Sequence, residues 1–531
     1  MEDKIKKKFL SLNLKIVKQL NVKDETIVVN RNRFDQVLRS IWGCSILNFY
    51  KKQNITLFTN KNFYFTNKIY KNFGVRNIKN VSVRILIFRK PIASFFLLIT
   101  SLLLYLYYSL RGIDYFIKYF KFKDIKPGIL IHESFIKKNK YYLDKRLFLP
   151  MFYFVKIFST KVLINFLENY LETNQIKNII ISKKTYFALD SLLFLIAKKK
   201  NIKCYYIIHE IILEKNNTPY KEKYTITDQD LKKKISQKKI NNFVNRRFKG
   251  LVDKDSKYSH NQTHFFDNKT LKKIFPQNKR LTVLFCPHVF SDSCSAQGKF
   301  IFRDLFDFYI KTVNQLKQIK DINWLIKMHP YKRFYGENYV AAKFNNKIKS
   351  SNIKIISDRY NILSVIKNVD AVVTARGTII LEATALGKKV LGYKYNRFQK
   401  CNFFIKYFNK KDYFNKLRFK RTNLIIDSKD KELSKKLLYL YSLKSYSTED
   451  NLLEDIRTKN SKKTKDYYLK LYKKLKKGEQ IIYNSFYYKK LKNTLLNENI
   501  KKKIFKRTPK ISSNQLRQKV YKNYLKIYEK K

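Results

Sequence analysis

Three short stretches place side chains able to hold an anion directly behind apolar, strand-like runs. Behind NWLI stand Lys327, His329 and Pro330; behind DAVVTA stand Arg376, Gly377 and Thr378; behind LTVLF stand Pro287, His288 and the loop VFSDSCSAQGKF. In an open α/β sheet, ligands bind outside the carboxyl ends of the strands, so these are the positions where chemistry is expected. Gly377 lets a ligand approach the backbone closely, and the helix start behind it offers N–H groups to a phosphate. Thr378 can cap that helix or give its hydroxyl to a phosphate oxygen. Glu382 lies one helical turn further on the same face, where a carboxylate can accept hydrogen bonds from ribose hydroxyls. With Lys327 and His329 as further donors, the set describes a nucleotide-phosphate cradle that needs no metal. Taken singly, each residue has a plainer reading: Thr378 as an N-cap, His329 as a loop residue before proline, Glu382 as a solvated helix residue. Their convergence on the strand ends of one sheet favours the binding reading.

The elements that must position them alternate. In the second half the strands LTVLF, NWLIKM, IKIIS, DAVVTA and KKVLGY are separated by helical patterns over about 302–318, 339–349 and 361–369 and by the short helix TIILEATAL, closed by Gly387. Such alternation gives a doubly wound parallel sheet. In the first half NITLFT, GILIHE, NIIIS and KCYYII read as buried strands. TYFALDSLLFLIAKKK, between the last two, reads as a helix with lysines at its negative end. The expected class is α/β with two Rossmann-like domains: an N-terminal extension (1–40), a first domain (41–275) holding a hydrophobic helix (91–110) and a polar insertion (215–275), a second domain (276–404), and a helical basic segment (405–531). No internal repeat is evident.

The chain has 531 residues, enough for two or three cores, and its 44% hydrophobic content with 11 Gly and 8 Pro excludes a disordered or fibrous chain. Lys+Arg is 114 against Asp+Glu of 40, a net charge of +74, which calls for an anionic partner: nucleic acid, an acidic membrane face or phosphorylated substrates. AT-rich coding DNA yields the same lysine-, asparagine- and isoleucine-rich composition, so the charge counts for less than its size. Five scattered cysteines without a CxxC pair fit neither a disulfide framework nor a zinc site, and the N-terminus has no secretory h-region. A cytoplasmic location is expected. The uncharged run PIASFFLLITSLLLYLYYSL (91–110), flanked by Arg89, Lys90 and Arg111, is long enough to span a bilayer. Lysine and arginine are dense on both sides of it, so it is expected to belong to the first domain or the membrane surface rather than to cross.

WLIKMHP followed by DAVVTARGTIILEATALGKKVLGY resembles the C-terminal half of bacterial capsule and surface-polysaccharide glycosyltransferases, the GT-B group that includes Kdo- and sialyl-type transferases, with its Lys-x-His-Pro and Ser/Thr-x-x-x-Glu elements. HVFSDS with the later LFDFYIKTV, GILIHESFIKK and KKTYFALDSLLFLIAKKKNIKCY are also similar to stretches of those proteins, so the resemblance covers roughly 126–395. It implies a GT-B-like fold in which the His-Pro and Thr residues hold the donor phosphate and Glu382 the ribose. The expected donor is a nucleotide sugar, a CMP-sugar by preference, bound to the second half as substrate with no separate cofactor. The expected acceptor is a lipid-linked or polysaccharide chain on the first half, and the enzyme is expected at the inner membrane's anionic face. The sequence departs from the family where Glu133 stands in place of an aspartate and Lys137 or Lys138 near an expected arginine. A carboxylate or histidine must handle the acceptor's proton. Glu133, His132, Asp190 and Asp292 are the candidates, Glu133 first because it ends an expected strand. A CDP-polyol phosphotransferase is the alternative within the fold, and an epimerase of the same fold lacks a clear acidic set. A basic nucleic-acid-binding protein is the alternative of another class, but the chain carries no helix-turn-helix, zinc or RNA-binding signature and no specific nucleic acid is expected. An inactive capsule-assembly scaffold is a third possibility that the donor motif disfavours.

Overall fold

The structure, a computed structural model, describes residues 25–29, 54–59, 75, 77–139, 148–181, 186–207, 211–214, 226, 228–248, 264–276, 279–297, 300–329, 337, 348 and 350–445. The helix expected over 339–349 and the basic segment beyond 445 lie outside them. The chain divides into two compact units.

The first unit runs β1 (Glu25–Val29), β2 (Asn54–Thr59), β3 (Asn77–Asn80), α1 (Val83–Arg89), α2 (Pro91–Arg111), α3 (Ile113–Tyr119), α4 (Gly128–Asn139), α5 (Met151–Thr173), β4 (Ile176–Ile181), α6 (Leu189–Lys199), β5 (Lys203–Ile207) and β6 (Ile211–Glu214). Its sheet has the order β3-β2-β1-β4-β5-β6, parallel except for β6. Strands β1 and β4 lie at its centre and are buried except for Lys177, their apolar residues gathered at 27–29 and 179–181, as in a strand covered on both faces. Ile27, Ile179 and Ile181 meet Leu163 and Leu167 of α5 and Leu192 and Ile196 of α6 in one core.

One expected strand is a helix. GILIHE opens α4, and its buried apolar residues recur as Leu130, Ile131, Phe135 and Ile136, the spacing of one helical face. Gly128 starts it because the backbone of Phe116 and Ile117 passes so close that a Cβ would sit 2.7 Å from the Phe116 carbonyl oxygen. The division between the units falls inside α4: residues up to 132 group with the first unit and 133–139 with the second.

The second unit adds α7 (Asp228–Lys232), α8 (Gln237–Phe248), α9 (Asn268–Ile274), β7 (Leu281–Cys286), α10 (Leu305–Leu316), β8 (Ile322–Lys327), β9 (Ile353–Ile356), α11 (Ile362–Lys367), β10 (Ala371–Thr374), α12 (Ile379–Ala385), β11 (Lys389–Tyr393), β12 (Ile405–Tyr407), α13 (Lys410–Lys416) and α14 (Ser428–Ser445). The sheet order is β12-β11-β10-β7-β8-β9, all parallel. The five strands read from the sequence are all present, and β12 adds an edge. The α/β class with two doubly wound units is therefore as expected.

The domain limits differ. The polar stretch 215–275 was expected in the first domain, yet Ile226, Phe266, Leu271 and Phe275 enter the second unit's core beside Leu284, Leu325 and Val372. Residues 405–445, expected to be a separate basic segment, also belong to this unit: β12 extends its sheet, and α14 lays Leu437 and Leu438 into the same core. Charge on the outer face of these elements masks the few apolar residues that anchor them.

Candidate active site of the second unit

The chain builds β7, β8 and β9 towards one edge of the sheet, then returns to place β10 on the other side of β7. The ends of β7 and β10 therefore flank a topological switch point, where successive loops turn away from one another and leave room for a ligand. Thr374 ties the two ends together, its hydroxyl donating to the carbonyl oxygens of Cys286 and Arg376, each at 3.1 Å.

Behind β7, the rings of His288 and His329, the latter from the end of β8, stack at 5.6 Å between centroids and 25° between planes. His288 Nδ1 lies 3.7 Å from Asp292 Oδ2, too long for a hydrogen bond but close enough for an ion pair once the ring is protonated. The backbone N–H of Ser293 donates to the other Asp292 oxygen at 2.9 Å. The loop is fixed from beneath by Glu337, whose buried carboxylate accepts from the N–H groups of Phe290 (3.0 Å) and Ser291 (2.7 Å).

Behind β10, Gly377 has φ of +120°, a conformation that L side chains rarely adopt, so a glycine is required here. Thr378 is the N-cap of α12 but makes no side-chain capping bond, so its hydroxyl is not spent on the role that a threonine at this position usually plays. Helix α12 has only seven residues, so the capacity to hold an anion here rests on side chains and the turn at Gly377 rather than on a long helix dipole.

Two expected phosphate donors are placed differently. Lys327 is buried at the end of β8 and its ammonium donates to the Asp358 carbonyl oxygen at 3.3 Å. Arg376 is buried with its guanidinium over the rings of Phe300 and Tyr393, at 4.9 and 5.4 Å, and one N–H donates to the Cys294 carbonyl oxygen at 2.8 Å. It braces the loop after β7. Glu382, expected at a ribose, is buried and held by Arg247 of α8, whose Nε and Nη2 donate to one of its oxygens at 3.2 and 2.6 Å. Arg247 was not legible as a site residue: it comes from the polar stretch and meets Glu382 across 135 positions.

Glu133 is not at the end of a strand, as expected, but inside α4, 4% exposed, and it groups with this unit rather than the first. One carboxylate oxygen accepts from the Ser293 hydroxyl (2.7 Å) and the Ser295 N–H (2.8 Å), with the Cys294 thiol 3.6 Å away. Arg376 and Glu133 thus grip the same short turn from its carbonyl and its donor sides. Burial and the neighbouring carboxylates of Glu133 and Asp304 push the Cys294 thiol far above the usual range, so this cysteine is an inert packing group. Neighbouring His132 belongs to the first unit, with Nδ1 2.9 Å from the Tyr153 hydroxyl. Asp190 lies buried in the first turn of α6, also in the first unit.

No family model matches the chain, and no curated protein matches it in sequence. Among solved structures the chain is similar to the β-Kdo 2,4-transferase KpsC of Thermosulfurimonas dismutans (11% identity, 49% of this chain and 79% of that one, TM-score 0.28). It is similar to a UDP-GlcNAc 2-epimerase of Methanocaldococcus jannaschii (10%, 80% and 100%, TM-score 0.24) and to MurG of Acinetobacter baumannii (9%, 80% and 99%, TM-score 0.23).

The site carries a pH signature. Burial first, then the charges of His288 and Lys327, pull the His329 pKa from 6.5 down to about 3. The folded ring thus stays neutral where an unfolded histidine takes up a proton. Stability attributable to His329 is complete above pH 6.5 and is lost as pH falls towards 3, by up to about 1.4 kcal/mol per pH unit. Chemical denaturation of wild type and His329→Asn at neutral and mildly acidic pH checks this: the wild type should lose more stability on acidification than the variant.

Proposed function

We propose that the second unit binds the nucleotide diphosphate or monophosphate of an activated sugar, and that the protein is a glycosyltransferase of surface-polysaccharide synthesis. A CMP-sugar is the preferred donor. The observation that carries the reading is the pairing, across one switch point, of the uncapped Thr378 hydroxyl at the Gly377 turn with the stacked His288 and His329. The Lys-x-His-Pro and Thr-x-x-x-Glu elements resembling capsule transferases fall on these positions. In this reading Gly377, Thr378 and His329 meet the donor phosphate and Glu382, oriented by Arg247, meets the ribose. Lys327 adds positive charge from beneath, Arg376 holds the loop, and His288 with Asp292 handles a proton. The acceptor is a lipid-linked or polysaccharide chain at the cytoplasmic membrane face.

A thermal-shift panel tests it, because a ligand that binds only the folded state raises stability by mass action. CMP or CDP should raise the melting temperature, by about 2.7 kcal/mol of added stability at a hundredfold excess over the dissociation constant. A shift with CDP but none with CMP moves the reading to a polyol-phosphate donor. A shift with UDP or GDP alone overturns the choice of base, and no shift with any nucleotide overturns the reading.

A further inference from the structure

Helix α2 is built inside out for a water-facing helix. Its buried side consists of Ser94, Ser101 and Ser109 with Tyr105 and Tyr108, while Ile92, Phe95, Phe96, Leu103 and Leu110 stand outward, each at least 60% exposed. A helix on a soluble domain turns its leucines in and its serines out. On α1 and α5, the helices that pack against α2, Phe88, Met151 and Val155 are also more than half exposed. A contiguous outward patch of this kind marks an interaction site rather than the scattered apolar residues of an ordinary surface.

Three further observations say what covers it. The helix is tied to α5 and to the residue just before it: the Tyr105 hydroxyl donates to the Leu149 carbonyl oxygen, Ser109 accepts from the Leu149 N–H, and Lys161 of α5 donates to Thr100. A helix held along its length against a folded unit cannot be ringed by lipid. The rim is cationic, with exposed Arg84, Arg89 and Lys90 at one end and Arg111 and Lys118 at the other. Beside Arg111, Tyr107 and Tyr115 cluster with the guanidinium 5.8 and 5.7 Å from their rings, the mix of aromatic and arginine that sits at a lipid headgroup layer.

We infer that α2 lies in the plane of an anionic membrane, its outward leucine and phenylalanine side chains in the acyl boundary and its terminal arginines and lysines among the phosphates. A protein partner would be served by the apolar patch alone; the cationic rim at both ends selects an anionic lipid surface. The inference does not rest on the reaction proposed above, because vesicle binding and nucleotide binding are separate measurements and either can fail alone.

Flotation of the full chain with vesicles tests it. Wild type should float with phosphatidylcholine–phosphatidylglycerol vesicles, less with phosphatidylcholine alone, and less at high salt. Phe96→Glu combined with Leu103→Glu should weaken binding by about a hundredfold, a factor of ten for each apolar side chain kept out of the bilayer. Both sites are exposed, and an unchanged melting temperature confirms the fold. Leu103→Trp gives a second readout: its emission should be quenched by lipids brominated near the headgroup end of the acyl chain more than by those brominated at the terminus. Wild type that stays with the soluble fraction, a double variant that floats as well as wild type, or deeper quenching from the terminus overturns the proposal. So does a wild-type dimer that the double variant dissociates, which would assign the patch to a second copy.

Discussion

Replacing Arg247 by alanine is expected to cost the protein about 3–5 kcal/mol, because it strands a carboxylate out of water. The side chains of Arg247 and Glu382 are 10% and 11% exposed, and two N–H groups of the guanidinium converge on one oxygen. Removing one partner of such a pair leaves a buried charge, whereas replacing both with apolar groups of similar volume is often neutral. Chemical denaturation should therefore show Arg247→Ala far below wild type and Arg247→Met with Glu382→Leu near it. The double variant should nevertheless bind nucleotide poorly, since Glu382 is the proposed ribose ligand. A loss below about 1 kcal/mol for Arg247→Ala would mean that the pair is solvated and holds nothing in place.

The second large effect is expected at Glu133. Alanine there removes the acceptor for the Ser293 hydroxyl and the Ser295 N–H, and hydrogen bonds to a charged group contribute about 1.5–3 kcal/mol each. The variant should lose stability on that scale, and nucleotide affinity should fall with it, because the turn it holds is part of the loop after β7. Glu133→Gln keeps an oxygen for both donors and should retain most of the stability and binding. Read with transfer rate, this separates two roles: a positioning residue tolerates glutamine, whereas a general base does not. The oxygen that accepts from both donors favours positioning, the role in which the proposed proton handling falls to His288 and Asp292.

The sequence makes the second sheet legible because β7, β8 and β10 are buried on both faces and appear as short, mostly apolar runs, and the ends of those runs are where a parallel sheet keeps its ligands. Three things escape. GILIHE is too short for periodicity to separate strand from buried helix, and only its continuation through Phe135 and Ile136 reveals the helical face. β1, central in the first sheet, is a five-residue run in polar surroundings and does not stand out. The partners that orient the site come from far along the chain: Arg247 to Glu382, Glu337 to Phe290 and Ser291, and Glu133 to Ser293 are set by tertiary packing, so no local spacing announces them. For the same reason Lys327 and Arg376 look like open phosphate donors in the sequence, although the fold directs them to the Asp358 and Cys294 carbonyl oxygens.

Calorimetric titration of CMP and CDP into the full chain and into Thr378→Val isolates the proposed contact with the donor phosphate, because valine keeps the shape of the side chain and removes only the hydroxyl that makes no helix-capping bond. Wild type is expected to bind a cytidine nucleotide, and the variant, folded as before, to bind it about ten- to a hundredfold more weakly, the loss expected for a hydrogen bond to a charged oxygen. Binding of equal strength in Thr378→Val, or no binding of either nucleotide by a wild type that instead holds single-stranded DNA at physiological salt, would contradict that expectation.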